Sequence, residues 1–375
     1  MGKLFTVLGL MSGTSGDGVD ASIISSDGID QYEEILNRYY KYDQKIYENL
    51  HNLRGKILKF SNLIEKKNEI NNLEKEITLF HAKIVNEISK LIDKKVDFIG
   101  FHGQTIYHSS LEKISKQIGD GNLLSQLTKK VVINNFRQND IKNGGEGAPL
   151  APVFHRLIVK QKKIDLPVCI LNIGGIANVT AIGEYNDDSF LSRDLGPGNC
   201  LIDEWVRSNT KEKFDKNGAI AKQGKTNELI LNQALENFEN RPNQNSLSFD
   251  TKDFSLGFVR GLGLEDGAAT LTDFTGRIIG AGLFSFLSNA RDKLWKVLVC
   301  GGGRKNLTLI ERIKFRTLKN LVIQPIDDYG VDGDYVESQA FAYLAIRSYL
   351  KLPISFPSTT GCKEPVTGGI INKNF

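Results

Sequence analysis

The chain has 375 residues, of which 40% are hydrophobic and 25% are charged. This composition is typical of a globular protein, and the length suits two domains that each bury a core. Lysine and arginine number 48 against 44 aspartates and glutamates, so the net charge is only +4, and the two signs are interspersed. Such a mild excess gives no reason to expect a nucleic-acid partner.

Signals for membrane insertion, secretion and metal binding are also lacking in the sequence. No apolar run approaches the ~20 residues that a membrane-spanning helix needs, and the N-terminus lacks the basic and apolar regions of a signal peptide. The four cysteines, at 169, 200, 300 and 362, lie far apart without a Cys-x-x-Cys pair. Neither a disulfide framework nor a zinc site is expected, and a reducing cytoplasm fits best.

A glycine-rich segment follows the first apolar run of the chain. Residues 8–20 read LGLMSGTSGDGVD, and strand-like residues flank them at 4–10 and 20–25. Glycines let a backbone turn tightly and approach an anion, and successive N–H groups in such a turn can bind phosphate. Asp-Gly is also a strong hairpin signal, so these residues alone leave a plain hairpin and a phosphate loop as equal alternatives. The spacing matches neither a Walker loop nor a dinucleotide fingerprint.

Hydrophobic spacing predicts the next elements. Apolar residues at helical intervals between 57 and 94 predict a long helix packed on a sheet, or a coiled coil. A strand at 96–100 leads to His102-Gly103-Gln104-Thr105, whose polar side chains suit sugar hydroxyls, although a lone histidine there is more often structural. Residues 131–133 predict another strand, and the Gly- and Pro-rich stretch at 143–152 predicts the crossover to a second domain.

The second half repeats the plan of strand, glycine turn and strand. Strands at 167–173 and 176–182 surround Gly174-Gly175, and a strand at 296–300 precedes Gly301-Gly302-Gly303. Three glycine turns that each follow an apolar strand favour a nucleotide cleft over three ordinary turns. The remaining predicted elements are helices at 226–240, 268–290 and 336–350 and a strand at 321–323.

Three charged side chains are candidates for chemistry. Asp194 precedes Gly196-Pro197-Gly198, and a carboxylate on such a stiff turn has the geometry that a general base needs, although most loop aspartates bond only within their own turn. Arg137 suits bidentate contact with phosphate or carboxylate, or a surface ion pair with Asp140. Glu337 begins the last long helix, where the helix dipole favours an acid in any case.

Seven segments follow one another between residue 12 and about 345, which is nearly the whole chain: SGTSGDGVD, HGQTIYH, NNFRQNDIKNGGEGAPLAP, LNIGGIANV, DLGPGNCLIDEW, VCGGGRKN and DGDYVESQAFAYLA. In this order, they resemble the signature blocks of the anhydro-N-acetylmuramic acid kinase family. The family belongs to the acetate kinase/Hsp70/actin/sugar-kinase superfamily. The resemblance therefore implies an α/β fold of two ribonuclease-H-like (actin/hexokinase-type) domains around an ATP cleft. We expect domain I at 1–140 plus about 345–375, and domain II at 141–344.

The resemblance also implies a reaction and its partners. Water opens the ring of 1,6-anhydro-N-acetylmuramic acid at C1, and the freed O6 takes the γ-phosphoryl group of ATP. The product is N-acetylmuramic acid 6-phosphate, in cell-wall recycling. Mg²⁺ is expected with the ATP. The implied partners are the small sugar and a second copy of the chain in a homodimer, with no nucleic acid and no membrane.

Residue roles are carried over from the family onto the matching positions. Asp194 is expected to deprotonate the attacking water, with Glu337 as a second acid at the sugar. The early acid of the superfamily is missing at Met11 and Ser12, so Asp17 or Asp20 is the candidate for the metal. Sugar contacts are expected from His102, Gln104, Thr105 and Arg137. ATP contacts are expected from Gly13, Thr14, Ser15, Gly16, Asp17, Gly18, Val19, Asp20, Asn172, Gly174, Gly175, Gly196, Gly301, Gly302, Gly303 and Asn306.

The chain departs from the family pattern at several positions. Gly16 stands in place of leucine, which we expect to make the loop more flexible, Glu146 stands in place of glutamine, and Lys305 in place of histidine. Residues 246–250 match poorly, so no role is carried over from them. Gly16, Glu146 and this poor match motivate one alternative, a related kinase for another sugar. The superfamily's chaperones and scaffolds motivate a second, an ATP-gated binding protein without turnover.

Overall fold

The chain forms two compact units in the computed structural model, which describes residues 2–183, 190–241, 246–287, 293–316 and 320–375. Unit 1 comprises residues 1–164 and 335–375, and unit 2 comprises residues 165–334. This division differs from the expected one at 140/141 and about 344/345. The Gly- and Pro-rich stretch at 143–152 leads into a further helix of unit 1 rather than into unit 2.

Unit 1 is a mixed sheet with helices. Its strands are β1 (Phe5–Ser12), β2 (Gly18–Ser26), β3 (Tyr32–Lys41), β4 (Phe98–Ser109), β5 (Ile114–Ile118), β6 (Val131–Asn134) and β12 (Ile370–Asn372). Its helices are α1 (Gln44–Lys56), α2 (Phe60–Glu65), α3 (Lys67–Ile88), α4 (Gly121–Thr128), α5 (Gln138–Lys142), α6 (Pro152–Gln161), α12 (Val336–Tyr349) and α13 (Pro357–Thr360). The strand order is β3–β2–β1–β4–β6–β12, and β5 pairs with the outer part of β4.

Unit 2 has a second mixed sheet with the order β9–β8–β7–β10–β11. Its strands are β7 (Val168–Ile173), β8 (Ile176–Ile182), β9 (Phe190–Pro197), β10 (Trp295–Cys300) and β11 (Leu321–Pro325). Its helices are α7 (Cys200–Asn209), α8 (Ala219–Gln223), α9 (Glu228–Glu239), α10 (Leu264–Phe286) and α11 (Leu307–Arg316).

The two sheets share one topology. In each, the first strand is antiparallel to the second, the second is antiparallel to the third, and the first is parallel to the fourth, which is parallel to the next strand outward. This 3-2-1-4-5 order is the ribonuclease-H-like arrangement, so the predicted fold of the two domains is confirmed. The repeat of strand, glycine turn and strand in the sequence is a repeat of the same hairpin, β1–β2 and β7–β8.

Helix α12 lies directly on the sheet of unit 1 because two strand residues have no side chain. A Cβ on Gly9 of β1 would lie 1.9 Å from the Ser338 carbonyl oxygen, and one on Gly100 of β4 would lie 2.2 Å from that of Phe341. Glycine at both positions lets the helix backbone approach the strands. The first turn of α12, with Glu337, is thereby held over the sheet.

Several elements differ from their predicted extents. The helical pattern at 57–94 forms two helices, α2 and α3, and α3 packs on α1 and α4, so it is a helix of a globular unit rather than a coiled coil. The predicted helix at 268–290 is α10, and the last part of that prediction, 288–290, lies outside the described residues. Among the described residues, no helix combines the length and apolar character that a membrane crossing requires.

Candidate active site

The first glycine segment is the turn of the β1–β2 hairpin in unit 1. The Gly16 N–H bonds the Gly13 carbonyl at 3.1 Å and closes the turn. Gly16 has a φ of +62°, and an added Cβ would lie 2.8 Å from Leu50 Cδ2. A leucine here would be strained by its backbone and by this contact. The backbone conformation of the turn therefore favours glycine at position 16. The expectation of a flexible loop did not include this reason.

The carbonyl groups of this turn are bound by donors of the protein. The Gly13 oxygen also accepts from Gln104 Nε2 at 3.0 Å, and the Thr14 oxygen accepts from Arg54 Nη1. The Asp17 oxygen accepts from the Tyr42 N–H at 3.0 Å. These three carbonyls are engaged within the protein, and the turn can offer its unpaired N–H groups to a ligand.

Three of those N–H groups have no acceptor among the residues that the structure describes. They belong to Thr14, Ser15 and Asp17. Unpaired N–H groups that lie close together in a glycine turn can form a concavity that suits an anion. The hairpin and the phosphate-loop interpretations of this segment are thus compatible, because the hairpin turn itself has the geometry of an anion site.

The side chains at the end of the turn are only partly available to a ligand. Asp17 Oδ1 accepts from Ser15 Oγ at 2.5 Å. Burial, and then the charge of Asp17, raise the pKa of Tyr39, whose hydroxyl bonds Asp17. Val19 is fully buried in the core, so only its backbone could contact a nucleotide. Within the described residues, no three histidine, cysteine or acidic side chains cluster as a metal site.

The segment His102 to Thr105 lies within β4 rather than after it. Strand β4 continues to Ser109, and its pairing with β1 slips between the pairs Leu10–Phe101 and Ser12–Gln104. Such a bulge redirects side chains at the edge of a site. Gln104 is fully buried and its Oε1 has no hydrogen-bond partner in the described part of the chain. An unpaired buried acceptor is costly, so this oxygen suits a ligand that donates a hydrogen bond.

His102 holds the guanidinium of Arg137. Its Nδ1 lies 2.8 Å from the Gly103 carbonyl oxygen, and its Nε2 accepts from Arg137 Nε at 3.2 Å and from Nη2 at 3.0 Å. Nδ1 therefore carries the proton. Burial, and then the charge of Arg137, hold the pKa of His102 well below its ordinary value. A neutral imidazole with both nitrogen atoms engaged cannot serve as a general base.

Arg137 also binds the loop that follows α5. Its Nη1 donates to the Gly147 carbonyl at 2.9 Å. Asp140, the surface partner considered for Arg137, is buried and accepts from the Gly147 N–H at 2.7 Å and from Thr360 Oγ1 at 2.6 Å. Asp140 thus organises the loop. The segment NNFRQNDIKNGGEGAPLAP forms one hydrogen-bonded support for Arg137.

Glu337 lies in the first turn of α12, in the same unit as Arg137. Burial raises the pKa of Glu337, and the charge of Arg137 opposes that rise. Its carboxyl group makes no hydrogen bond to the described residues. A carboxyl with a raised pKa and free oxygens can hold a proton for a ligand at a higher pH than an ordinary glutamate.

In unit 2, the turn between β7 and β8 binds the start of α7. The Gly174 carbonyl accepts from the Asn199 N–H at 2.8 Å, and the Gly175 carbonyl accepts from the Gly198 N–H at 2.9 Å. A Cβ on Gly198 would lie 2.3 Å from the Gly174 oxygen. The Gly-Pro-Gly segment therefore serves to pack α7 against the glycine turn.

The third glycine turn follows β10 and packs on the end of β7. Cβ atoms on Gly301 and Gly303 would lie 2.4 Å from Asn172 Oδ1 and 2.2 Å from Ile173 Cγ2. One on Gly302 would meet nothing within 4 Å. Asn306 is buried and caps α11, since its Oδ1 accepts from the Leu309 N–H at 3.0 Å. Its side-chain oxygen therefore has a structural role.

Each of the three turns has one glycine at which an added Cβ would meet no close neighbour. A Cβ on Gly13 would come no closer to another atom than 3.9 Å, and one on Gly174 no closer than 3.6 Å. At these positions and at Gly302, the space required by the protein itself does not explain the glycine.

Asp194 lies inside strand β9, not in a loop. It pairs with Asn178, and the register slips directly after it, so Leu195 forms a bulge. Asp194 is buried, and its Oδ2 accepts from the Phe249 N–H at 2.8 Å while its own N–H donates to the Leu247 carbonyl at 2.8 Å. A carboxylate fixed by a strand, a bulge and a backbone donor has the rigid position that a general base needs.

The partner segment of Asp194 is one that sequence reasoning missed. Residues 246–250 matched the family pattern poorly, yet Leu247 and Phe249 hold both the backbone and the side chain of Asp194. They act through backbone groups, which any residue except proline can supply. Side-chain identity therefore contained no signal of this role.

A sequence profile of the family described as anhydro-N-acetylmuramic acid kinase matches residues 5–374. The chain belongs to this family. It is 58% identical over 375 residues to the curated anhydro-N-acetylmuramic acid kinase of Pelagibacter ubique (strain HTCC1062), with 100% of both chains covered. The Zymomonas mobilis subsp. mobilis (strain ATCC 31821 / ZM4 / CP4) member is 38% identical over 372 residues, covering 97% of this chain and 99% of the relative. Among solved structures, a ROK family glucokinase from Streptomyces griseus aligns with a TM-score of 0.43 and 12% identity, over 90% of this chain and 98% of that one.

Family membership confirms the predicted resemblance and the predicted class of enzyme, a kinase.

Proposed function

We propose that this chain uses ATP and water to convert 1,6-anhydro-N-acetylmuramic acid into N-acetylmuramic acid 6-phosphate. The observation that carries the proposal is the full-length family match, in a chain whose Asp194 is intact and rigidly held. A cytoplasmic location, a role in peptidoglycan recycling and a homodimeric state are part of the proposal and rest on the family alone.

The proposed chemistry begins with Asp194 as general base. Its carboxylate takes a proton from water, and the water oxygen attacks C1 of the sugar. The C1–O6 bond breaks, O6 attacks the γ-phosphorus of ATP, and ADP leaves. One oxygen accepts the Phe249 N–H, which fixes the carboxylate without neutralising its charge. Positioning and charge supply most of the rate in such a transfer.

Unit 1 supplies the proposed sugar contacts. Arg137 is suited to the carboxylate of the sugar's lactyl group, because a guanidinium binds carboxylates in a bidentate manner. The unpaired Gln104 Oε1 suits a sugar hydroxyl, and Thr105 lies beside it. His102 contributes by holding Arg137. Glu337, with its raised pKa, suits a hydrogen bond to a sugar oxygen.

The three glycine turns are the proposed contacts of ATP. The unpaired N–H groups of residues 14, 15 and 17 suit a phosphate, and Gly13, Gly174 and Gly302 are where a ligand can approach. Gly175, Gly301 and Gly303 shape these turns, as do Asn172 and Asn306. Gly196, also expected at the ATP, lies in β9, where an added Cβ would be 2.5 Å from Ile278 Cγ2. Asp17 or Asp20 would hold Mg²⁺, which usually takes one or two carboxylates together with phosphate oxygens. When bound, Mg²⁺ would neutralise phosphate charge.

A product assay tests the proposal directly. The chain is incubated with the anhydro sugar, ATP and Mg²⁺ in H₂¹⁸O, and the product is identified by mass. We expect a sugar 6-phosphate with one ¹⁸O at C1. Unlabelled phosphosugar would indicate plain transfer, turnover of another sugar in a panel of amino and anhydro sugars would indicate a related kinase, and nucleotide binding without any sugar product would indicate a binding protein. Each of these outcomes contradicts the proposal.

A further inference from the structure

Helix α1 contacts the first glycine turn through two of its side chains. Leu50 lies beneath Gly16, where an added Cβ would be 2.8 Å from Leu50 Cδ2. One helical turn later, Arg54 donates from Nη1 to the Thr14 carbonyl. Residues four apart lie on the same helix face, so α1 presents one apolar and one cationic side chain to the same turn.

The helix itself is anchored to the hairpin. Asp43 caps its N-terminus by accepting from the Ile46 N–H at 2.8 Å. The preceding residue, Tyr42, donates its N–H to the Asp17 carbonyl at 3.0 Å, and its hydroxyl lies 2.9 Å from Ser12 Oγ. The start of α1 therefore holds both ends of the turn, and Arg54 near the end of the helix holds its middle.

Because the trans peptide is planar, a contact that fixes one carbonyl group also fixes the direction of the next N–H group. In a trans peptide, the C=O of one residue and the N–H of the next point in opposite directions. Arg54 binds the Thr14 carbonyl, so it orients the Ser15 N–H, which has no acceptor among the described residues. Gln104 and the Gly16 N–H do the same for the Thr14 N–H through the Gly13 carbonyl.

We propose that Arg54 is a positioning residue for the phosphates of the nucleotide. It acts through the peptide between Thr14 and Ser15, and it holds the Ser15 N–H in the direction that an anion requires. This inference rests on the proposed function, since it assigns a role in binding ATP. No block of the family resemblance includes Arg54.

Variants of the last turn of α1 test the proposal. Arg54→Ala removes the donor, whereas Arg54→Lys keeps a cation that can reach a carbonyl. Lys56→Ala is the matched control, because Lys56 lies in the same helical turn and pairs with Glu69 at the surface. The affinity of each full-length variant for a non-hydrolysable ATP analogue is measured by calorimetry without sugar. KM for ATP and for the sugar and the melting temperature are then determined.

We expect Arg54→Ala to weaken analogue binding and raise KM for ATP by ~10-fold or more, the scale of a lost charged hydrogen bond, with little change in KM for the sugar. Arg54→Lys should recover part of the loss, and Lys56→Ala should resemble the wild type. Analogue affinity within ~2-fold of wild type in Arg54→Ala overturns the proposal, as does an equal rise in both KM values. A wild-type chain that binds no nucleotide overturns the proposed function as well, so the two failures are distinguishable.

Discussion

Asp194 is the residue on which the proposed chemistry depends most directly. Asp194→Asn keeps an oxygen that can accept the Phe249 N–H, so we expect the fold to persist. The amide cannot accept a proton from water at neutral pH, and we expect kcat to fall by at least ~10²-fold, the scale of a positioned general base. Steady-state turnover and the melting temperature measure the two effects separately.

The control for this variant is Asp165→Asn in the same unit. The Asp165 side chain is 84% exposed and pairs with Lys296 at the surface, so its loss should leave turnover unchanged. If Asp194→Asn turns over at the wild-type rate, Asp194 is not the base. If it unfolds, the Phe249 contact depends on the carboxylate, and chemical denaturation of both variants would reveal that difference.

Gly16 is predicted to be required by the shape of the turn. Gly16→Leu, which restores the residue usual in the family, forces a branched side chain into left-handed backbone at a cost of about 1–2 kcal/mol and into contact with Leu50. Gly16→Asn should cost less, because asparagine tolerates this conformation better. Unfolding free energies should therefore fall from glycine to asparagine to leucine. A leucine variant as stable as the wild type would contradict the prediction.

The sequence predicts residue types at this scale better than it predicts their partners. Asp194, Arg137 and Glu337 could be selected from motifs because their chemistry is local. The hydrogen bond from Arg137 to His102 could not be predicted, because it joins residues 35 positions apart and depends on a bulge in β4. His102 remains a proposed residue of the sugar side, and its observed contact is with Arg137.

At the scale of elements, the three glycine turns contain two kinds of glycine. Some pack closely against other residues, and others leave space in which a ligand could approach the backbone. Gly301 and Gly303 pack on β7, whereas Gly302 meets nothing within 4 Å. We expect Gly302→Ala to raise KM for ATP without lowering the melting temperature, because the added methyl group fits the protein but not a bound ligand. Gly303→Ala, which places a methyl group 2.2 Å from Ile173 Cγ2, should instead lower the melting temperature.

The same comparison extends to the other open glycines. Gly13→Ala and Gly174→Ala should behave as Gly302→Ala does, since their added Cβ atoms also meet no close neighbour. Calorimetry with an ATP analogue and thermal unfolding separate binding from stability. Unchanged nucleotide affinity in all three variants would remove the glycine turns from the proposed ATP site.

Elements were predicted well where a strand was buried on both faces. Strands β1 and β7 are almost wholly buried and read as continuous apolar runs, which is typical of central strands. Strands β3 and β9 were not predicted. Strand β3 is largely exposed, and its polar residues come in pairs, Glu33-Glu34 and Asn37-Arg38, rather than in alternation. Strand β9 contains Asp194 and ends with Gly196-Pro197, and these residue types are typical of loops. Tertiary pairing overrides local propensity in both.

At the scale of the whole molecule, the two units repeat one topology but divide the titratable and fluorescent groups unequally. All five histidines (51, 81, 102, 108 and 155) belong to unit 1, and both tryptophans (205 and 295) belong to unit 2. Burial lowers the pKa of His81 to about 4 and that of His155 to about 3. Burial, followed by Arg137, lowers that of His102 well below its ordinary value.

The sign of the resulting pH dependence follows from these shifts. A histidine with a lowered pKa is neutral in the folded unit and takes up a proton on unfolding below pH 6.5. The stability that it contributes is complete above pH 6.5 and is lost as the pH falls through the folded pKa. Each such group changes the unfolding free energy by about 1.4 kcal/mol per pH unit in that window.

In unit 2, the groups whose titration affects stability are carboxyl groups, which titrate at lower pH than histidines. The pKa of Asp327 is lowered by its hydrogen bond with Arg304. For Asp334, burial alone would raise the pKa, but Arg304 and Lys305 outweigh it and lower the pKa. A carboxyl with a lowered pKa loses its contribution only as the pH falls below its ordinary value of 3.8. Acid should therefore weaken unit 1 between pH 6.5 and 4, before these contacts in unit 2 are affected.

Hydrogen exchange followed by mass spectrometry can test this order, after correction for the intrinsic effect of pH. We expect peptides of residues 2–164 and 335–375 to lose protection first, while fluorescence from Trp205 and Trp295 stays native. His155→Phe removes one titrating group from a buried site, so the stability of unit 1 should depend less steeply on pH by about 1.4 kcal/mol per pH unit. A fluorescence change that precedes the loss of protection in unit 1 would contradict the assignment of acid sensitivity to its buried histidines.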